Sequence, residues 1–352
     1  MSGPASGEHL PHTLRSQGRF CAGSGSPMYG ELFELVAADV EAGGVFATIL
    51  AGHEDDPARH AVPLRLLGGL HRLVLDGRAP TLRRWYPSTG GSWDAAAAWP
   101  AIVRVAVDRS DVLRAALDQP PQTNEVGRSA ALIGGLLHVN HEFGLPIRLF
   151  EIGASAGLNL RADRYRYRYD GGQWGPAETP VTIADAWHGR LPPPAAVRIA
   201  ERHGYDIAPI DVTGADGELT VLSYVWPDQH ARLKRLRGAI EVARKVPAEL
   251  QRQTAAEAVA ALALADGALT VLWHSITWQY LSTDERSAIR AAVEHLGAQA
   301  GARTPFAHLT LEPARNGPGS PLKFLVRAAS WPDGRTRVLG ECHPHGPPVT
   351  WQ

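Results

Sequence analysis

The segment Leu149-Phe150-Glu151-Ile152-Gly153-Ala154-Ser155-Ala156-Gly157-Leu158-Asn159-Leu160 holds the densest chemistry in the chain: an apolar run, an acid, a turn of small residues and a helix start. Glycines at 153 and 157 let a backbone approach a ligand closely, and a helix start behind them offers N–H donors. Glu151 closes the run, with Ser155 in the turn and Asn159 in the helix start behind it. The letters Gly153-Ala154-Ser155-Ala156-Gly157 also spell Gly-x-Ser-x-Gly, the sharp turn that presents a nucleophilic serine, and Asp228 and His274 follow in the order such a serine needs. Against that second chemistry, such a turn should follow several strands, whereas residues 27–145 are helical in texture.

Further candidates lie downstream and upstream. Gly204-Tyr205-Asp206-Ile207-Ala208-Pro209 reads as a strand ending in an acid, Asp206, at the edge where such sheets bind ligands; Asp185, closing Val181-Thr182-Ile183-Ala184, is the alternative. Leu269-Thr270-Val271-Leu272-Trp273 delivers His274 to the carboxyl end of another strand, where a neutral imidazole serves as a general base or simply hydrogen-bonds behind the site. Trp278 follows as a wall for a cation or as packing. Asn124, Glu125 and Arg128 begin a helix and either reach a shared cleft or cap that helix. Trp226 and Asp228 start another helix, as a substrate contact and a catalytic acid or as first-turn residues. Cys342, His343 and His345, and the pair His138 and His141, have ligand types without ligand spacing, so no metal is expected.

Positioning these groups requires an alternation of strands and helices. Expected strands are 148–152, 205–207, 249–253, 269–273 and 307–311, followed by an antiparallel hairpin of 323–328 and 337–341 turning at Pro332-Asp333-Gly334. Leu233, Leu236, Ile240 and Ala243 mark one amphipathic helix; Ile289, Val293 and Leu296 mark another, begun by the capping box Ser282 and Glu285. Residues 164–187, with alternating Arg and Tyr before Gly171-Gly172, read as an inserted hairpin with one solvated and one packed face. Before Pro146 the texture is helical, beginning at the Ser26-Pro27 cap, and residues 1–26 read as a disordered leader. The domain expectation is therefore a leader, a helical lid over 27–145 and an α/β domain over 146–352.

The 352 residues carry 35 Lys and Arg against 36 Asp and Glu, a net charge of −1 that gives no field for nucleic acid or an anionic membrane. Two cysteines and the lack of a long apolar run point to a reducing cytoplasm without secretion or membrane insertion. Oligomeric state is not legible.

Glu151 with its glycine turn resembles the acidic-x-Gly-x-x-x-Gly signature of class I methyltransferases, with Ser155 in place of the usual middle glycine. That resemblance implies a Rossmann-like sheet, S-adenosylmethionine bound across Glu151, Gly153, Ser155, Gly157, Asn159 and Asp206, and methyl transfer to a small molecule. Thr254 stands where an acid contacting adenine is expected. The chain also resembles an uncharacterised bacterial family, domain of unknown function 2332. That likeness rests on Gln122-Thr123-Asn124-Glu125-Val126-Gly127-Arg128, Gly153 to Leu160, Asp163-Arg164-Tyr165, Val225-Trp226-Pro227-Asp228-Gln229 and Cys342-His343-Pro344-His345-Gly346. It implies a site location and no substrate. The expectation is a methyltransferase; a serine hydrolase using Ser155 and a non-catalytic nucleotide-binding module are the alternatives.

Overall fold

The computed structural model describes residues 9–57, 60–315, 317 and 320–352. The chain forms two compact units, one of residues 1–123 and 215–234, the other of residues 124–214 and 235–352.

The first unit is helical: α1 (His9–Gly23), α2 (Pro27–Glu41), α3 (Val45–Ile49), α4 (Val62–Leu75), α5 (Ala95–Asp108), α6 (Ser110–Leu117), and, after the chain returns, α8 (Ala215–Ser223). Its core joins Leu14, Leu32, Phe33, Leu66, Leu70, Ile102 and Leu113 with Trp226. The segment from His9 onward, expected to be disordered, is a helix; residues 1–8 lie outside the described residues. Leu10, Leu14 and Cys21 recur at helical spacing and are buried, and Gly18 lets α1 approach closely, since a Cβ there would sit 2.9 Å from Phe33 Cβ. The glycine and cysteine in that stripe conceal its periodicity. Ser26 caps α2 by accepting the Tyr29 N–H at 3.4 Å, with Pro27 in the first turn.

The second unit contains α7 (Ser129–Phe143), most of α9 (His230–Lys245), α10 (Ala255–Ala260) and α11 (Thr283–Gln299). Its strands are β1 (Ile147–Ile152), β2 (Arg166–Tyr169), β3 (Gly172–Trp174), β4 (Thr182–Ile183), β5 (Trp187–Gly189), β6 (Ile199–Asp206), β7 (Glu249–Arg252), β8 (Leu269–Ser275), β9 (Phe306–Ala314), β10 (Lys323–Trp331), β11 (Arg335–His343) and β12 (Gly346–Trp351). Among the described residues, nine of these form one mixed sheet in the order β5-β12-β11-β10-β9-β8-β1-β6-β7. The five from β7 to β9 are parallel neighbours, and β9 to β12 are antiparallel. Strand order reverses between β1 and β8, where an α/β sheet leaves a crevice at its carboxyl edge. The capping box of Ser282 and Glu285 starts α11 as the sequence indicates.

Three features of this unit depart from the sequence reading. The helix α7, assigned by sequence to the helical domain, belongs with the sheet, so the division falls near residue 123 rather than 145. The insertion is a three-stranded sheet, β3-β2-β4, with Tyr165 and Tyr167 fully buried; β5 leaves it to pair with β12 at the edge of the large sheet. The chain end supplies a further strand, β12, beyond the expected hairpin.

The turn between β11 and β12 is locked to the segment before α7 by backbone contact. A Cβ at Gly127 would lie 2.3 Å from the His345 carbonyl oxygen, and one at Gly346, with φ +94°, would lie 2.3 Å from Gly127 backbone carbon. Gly127→Ala is therefore expected to destabilise the protein by about 2 kcal/mol or more, read from chemical denaturation; an unchanged midpoint would refute this locking.

Candidate functional site

Glu151 is placed by β1 at the reversal point and is 2% exposed. Parallel pairing sets it beside Trp273 of β8, so both side chains emerge on one sheet face. Burial raises the Glu151 pKa to about 8; Trp273 and Asn159 draw it back down, as do the more distant charges of Arg128 and Arg161. Even so, Glu151 Oε2, Trp273 Nε1 and Asn159 Oδ1 are all buried without a hydrogen-bond partner among the described residues. Buried polar groups are ordinarily paired, so three orphans around one carboxyl, one a donor and two acceptors, mark a receptor for a polar ligand.

The glycine turn is strained and tightly fitted. Gly153 and Gly157 have φ of +66° and +63°, and Ser155 shares the left-handed region at +51°. A Cβ at Gly153 would meet Thr277 Oγ1 at 2.4 Å, and one at Gly157 would meet Leu250 Cδ2 at 2.6 Å. Asp206, closing β6, clamps the turn: one carboxylate oxygen accepts the Ser155 N–H at 2.9 Å and the other the Ala208 N–H at 2.9 Å. Asp206 thus stands beside the turn, as the sequence suggests. Asp185, the alternative, pairs instead with exposed His188 at 2.6 Å.

After the turn comes a 3-10 segment, Leu158–Arg164, rather than the α-helix expected, and its Leu158 N–H is donated to Asn124 Oδ1 at 2.8 Å. The hydroxyls of Tyr165 and Tyr167 tie this segment down by donating to the Leu158 and Ala162 carbonyls at 2.6 and 2.7 Å. Arg161 anchors the turn itself, donating to the Gly157 carbonyl at 2.7 Å.

Asn124, Glu125 and Arg128 do not share a helix face, because α7 starts only at Ser129. Glu125 is 4% exposed, accepts the Gly127 N–H at 2.9 Å and faces Arg235 at 3.7 Å, so it caps the short turn Val126–Arg128. Arg128 donates to the Pro344 carbonyl at 3.0 Å and the Ser275 carbonyl at 3.2 Å, bringing a cation to the end of β8.

Side-chain alternation along β8 corrects the place of His274: with Trp273 on the Glu151 face, His274 emerges on the other, the face of Phe150, Ile152 and Leu272. There it is 2% exposed, its Nδ1 lies 2.7 Å from Glu312 Oε1, and its ring stacks on Trp278 at 5.3 Å. Trp226 and Asp228 belong to the helical unit and are engaged within it. Trp226 is a core residue beside Tyr29, with the Arg232 guanidinium 5.3 Å from its ring. Asp228 accepts the Ser26 hydroxyl at 2.6 Å and the Met28 N–H at 3.1 Å, completing the α2 cap. Among the described residues no group of three or more His, Cys, Asp or Glu is disposed to hold a metal, and no helix is long and apolar enough to cross a membrane.

Sequence reasoning missed Trp273 and Glu312. Trp273 reads as an ordinary strand residue until the β1–β8 register sets it against Glu151, and Glu312 lies one residue beyond the expected end of its strand.

A family model described as "Uncharacterized protein conserved in bacteria (DUF2332)" matches residues 11–351. No curated protein and no solved structure matches the chain.

Two outcomes follow from this geometry. The folded pKa of Glu151, about 8, lies above its ordinary 4.5, so the folded state holds that proton more tightly. The stability this contributes is complete below pH 4.5 and is lost as pH rises through about 8. Urea denaturation of Glu151→Gln should show that decline, on the order of 1.4 kcal/mol per pH unit, removed. An identical pH profile in both proteins would contradict it. Asp228→Ala should lower stability by about 1–2 kcal/mol through the lost cap while leaving ligand binding at Glu151 intact; lost binding without lost stability would return Asp228 to the site.

Proposed function

The chain belongs to the bacterial family DUF2332, whose description carries no activity, and from the site itself we propose that it binds S-adenosylmethionine and transfers its methyl group to a small-molecule acceptor. The observation that carries this reading is Glu151: a carboxyl buried at the strand-order reversal, with a raised pKa and an unpartnered oxygen. A carboxyl that is costly to ionise alone becomes stable as an anion when a ligand ammonium arrives, so the site favours a cationic ligand over a neutral one.

Other residues fit the same cofactor. Asp206 uses one acceptor site on one oxygen for Ser155 of the turn and one on the other for Ala208, and a carboxylate has about four such sites, so it retains capacity for ribose hydroxyls. Asn159 Oδ1 and Trp273 Nε1 supply a second acceptor and a donor beside Glu151. The order β7-β6-β1-β8-β9 places first-turn glycines at the reversal, as in dinucleotide-binding sheets. Thr254, at the position of the adenine-contacting acid, is instead committed to capping α10 with Glu257, so adenine would be held by apolar contact rather than by a carboxylate there. When bound, the cofactor supplies an electrophilic methyl; the chain's residues hold its charged end, exclude water and align the acceptor.

Two observations weigh against the serine-hydrolase alternative. The Ser155 turn follows the first strand among the described residues rather than a late one. His274 Nε2, the atom that would take the serine proton, has no hydrogen-bond partner among the described residues. Separating a non-catalytic binding module from an enzyme requires turnover.

Calorimetric titration with S-adenosylhomocysteine tests the reading. Wild-type protein should bind, and Glu151→Ala should bind at least about 100-fold more weakly, about 2.7 kcal/mol. Because Glu151 is largely protonated below its pKa of about 8, binding at neutral pH should release about one proton, detected as a dependence of the heat on buffer ionisation enthalpy. No binding by the wild type at millimolar ligand would overturn the assignment.

A further inference from the structure

The loop after β8 bears on the glycine turn, and the group that holds this loop is a carboxyl on the face of the sheet away from Glu151. Glu312, 7% exposed on β9, receives three donors on one oxygen: His274 Nδ1 at 2.7 Å, the Thr277 N–H at 3.0 Å and the Trp278 N–H at 3.3 Å. Two of the three are backbone groups of the loop itself. The third, His274, fixes the carboxyl from the strand behind it.

The loop needs such a hold. Ile276 is left-handed at φ +52°, a conformation that a β-branched residue adopts only where its surroundings impose it. Its N–H is donated to the Leu311 carbonyl at 2.9 Å, so β9 grips the loop through consecutive residues, 311 and 312. Arg128 and Arg286 engage its carbonyls, at Ser275 (3.2 Å) and Trp278 (3.0 Å). A backbone fixed in this way sets the Thr277 side chain against the turn: a Cβ at Gly153 would lie 2.4 Å from Thr277 Oγ1 and 2.6 Å from its Cγ2. Gly153 is the first residue of the turn at positive φ, before Ser155 and Gly157. Asp206 and Arg161 hold the later two by hydrogen bonds, and Thr277 closes on the first. Direct contacts therefore run from Glu312 to Thr277 to Gly153.

We propose that Glu312 is a positioning residue of the Glu151 site, acting through Thr277: by fixing the backbone of residues 277 and 278 it holds the left-handed turn in its binding conformation before a ligand arrives. Its effect on affinity rests on the methyltransferase reading; its effect on the turn does not. A turn ordered in advance binds more tightly because association no longer carries the cost of ordering it. His274 keeps its place on the far face, where it steadies the carboxyl from which the loop hangs.

The test uses the full chain in three variants. Glu312→Met keeps side-chain length and removes the acceptor, Glu312→Gln keeps an acceptor oxygen, and Thr277→Ala removes the two atoms nearest Gly153. The Ala154, Ser155 and Gly157 amides are hydrogen-bonded to the Tyr205 carbonyl, Asp206 and the Ala154 carbonyl. In ligand-free protein their hydrogen exchange should quicken about tenfold in Glu312→Met and in Thr277→Ala, and by less than about threefold in Glu312→Gln, with β11 and β12 unchanged. Unchanged exchange at these amides in Thr277→Ala would overturn the proposal even if Glu312→Met proved too unstable to study, as would equal acceleration throughout the sheet in Glu312→Met. S-adenosylhomocysteine should bind about tenfold more weakly to Glu312→Met and to Thr277→Ala, and the double variant should be within about twofold of Glu312→Met, because both changes act on one contact. Losses that multiply to about 100-fold would place the action of Glu312 elsewhere and refute the route through Thr277. Asp228→Ala, which loses a cap in the helical unit, supplies the comparison for lowered stability alone. Failure of the wild type to bind would sink the methyltransferase reading, and the exchange rates would still decide the positioning role.

Discussion

A carboxyl group removed from water with one oxygen left unpartnered is among the least comfortable residents of a protein interior, and Glu151 is that group here. Its position follows from topology: β1 lies at the centre of the parallel run, where strand order reverses, and a side chain at its carboxyl end meets the crevice that reversal leaves. Around it the chain spends strained backbone freely, with Gly153, Ser155 and Gly157 all at positive φ within five residues. Such conformations persist only where neighbours over-determine them. Asp206, Arg161 and Thr277 do so, each touching or filling the space of one residue of the turn.

The separation into two units was only partly legible, and the reason is physical. Helical texture marks where helices form, not what they pack on. The sequence of α7 is apolar on nearly every side, and its burial shows why: Ala130, Ile133, Leu136 and Leu137 are all inside, and close approach requires small residues such as Gly134 beside Trp351 and Gly135 beside Leu309. A helix so enclosed belongs against a sheet. The return of residues 215–234 to the helical unit has no local signal at all, since a discontinuous unit is defined by contacts distant in sequence.

Within the site, what was readable was local. The strand from Leu149 and the turn after it, the strand end at Asp206 with its Ala208 N–H, and the capping box at 282 each depend on neighbours a few residues away. What was not readable depended on register. Knowing that His274 closes a strand does not say which face it takes; pairing of Glu151 with Trp273 does, and it sends His274 to the opposite side. Likewise Asn124 and Arg128 look like one helical turn, but the helix begins after them, and Asn124 instead caps the 3-10 segment beyond the glycine turn.

The two buried carboxyls of the sheet unit illustrate how one residue type takes two roles by environment. Glu312 sits opposite three N–H donors and serves by holding them: the imidazole, and the loop that carries Thr277 and Trp278. Glu151 sits beside Trp273 and Asn159, which draw its pKa down, but one of its oxygens stays unpartnered and desolvation is the larger effect, so its pKa is raised. A fold that had only to be stable would place an apolar side chain at residue 151, because burial of a lone carboxyl costs more than burial of a methylene chain. The persistence of an acid there, flanked by an unpaired donor and an unpaired acceptor, is what a site looks like when its binding partner completes the hydrogen bonding.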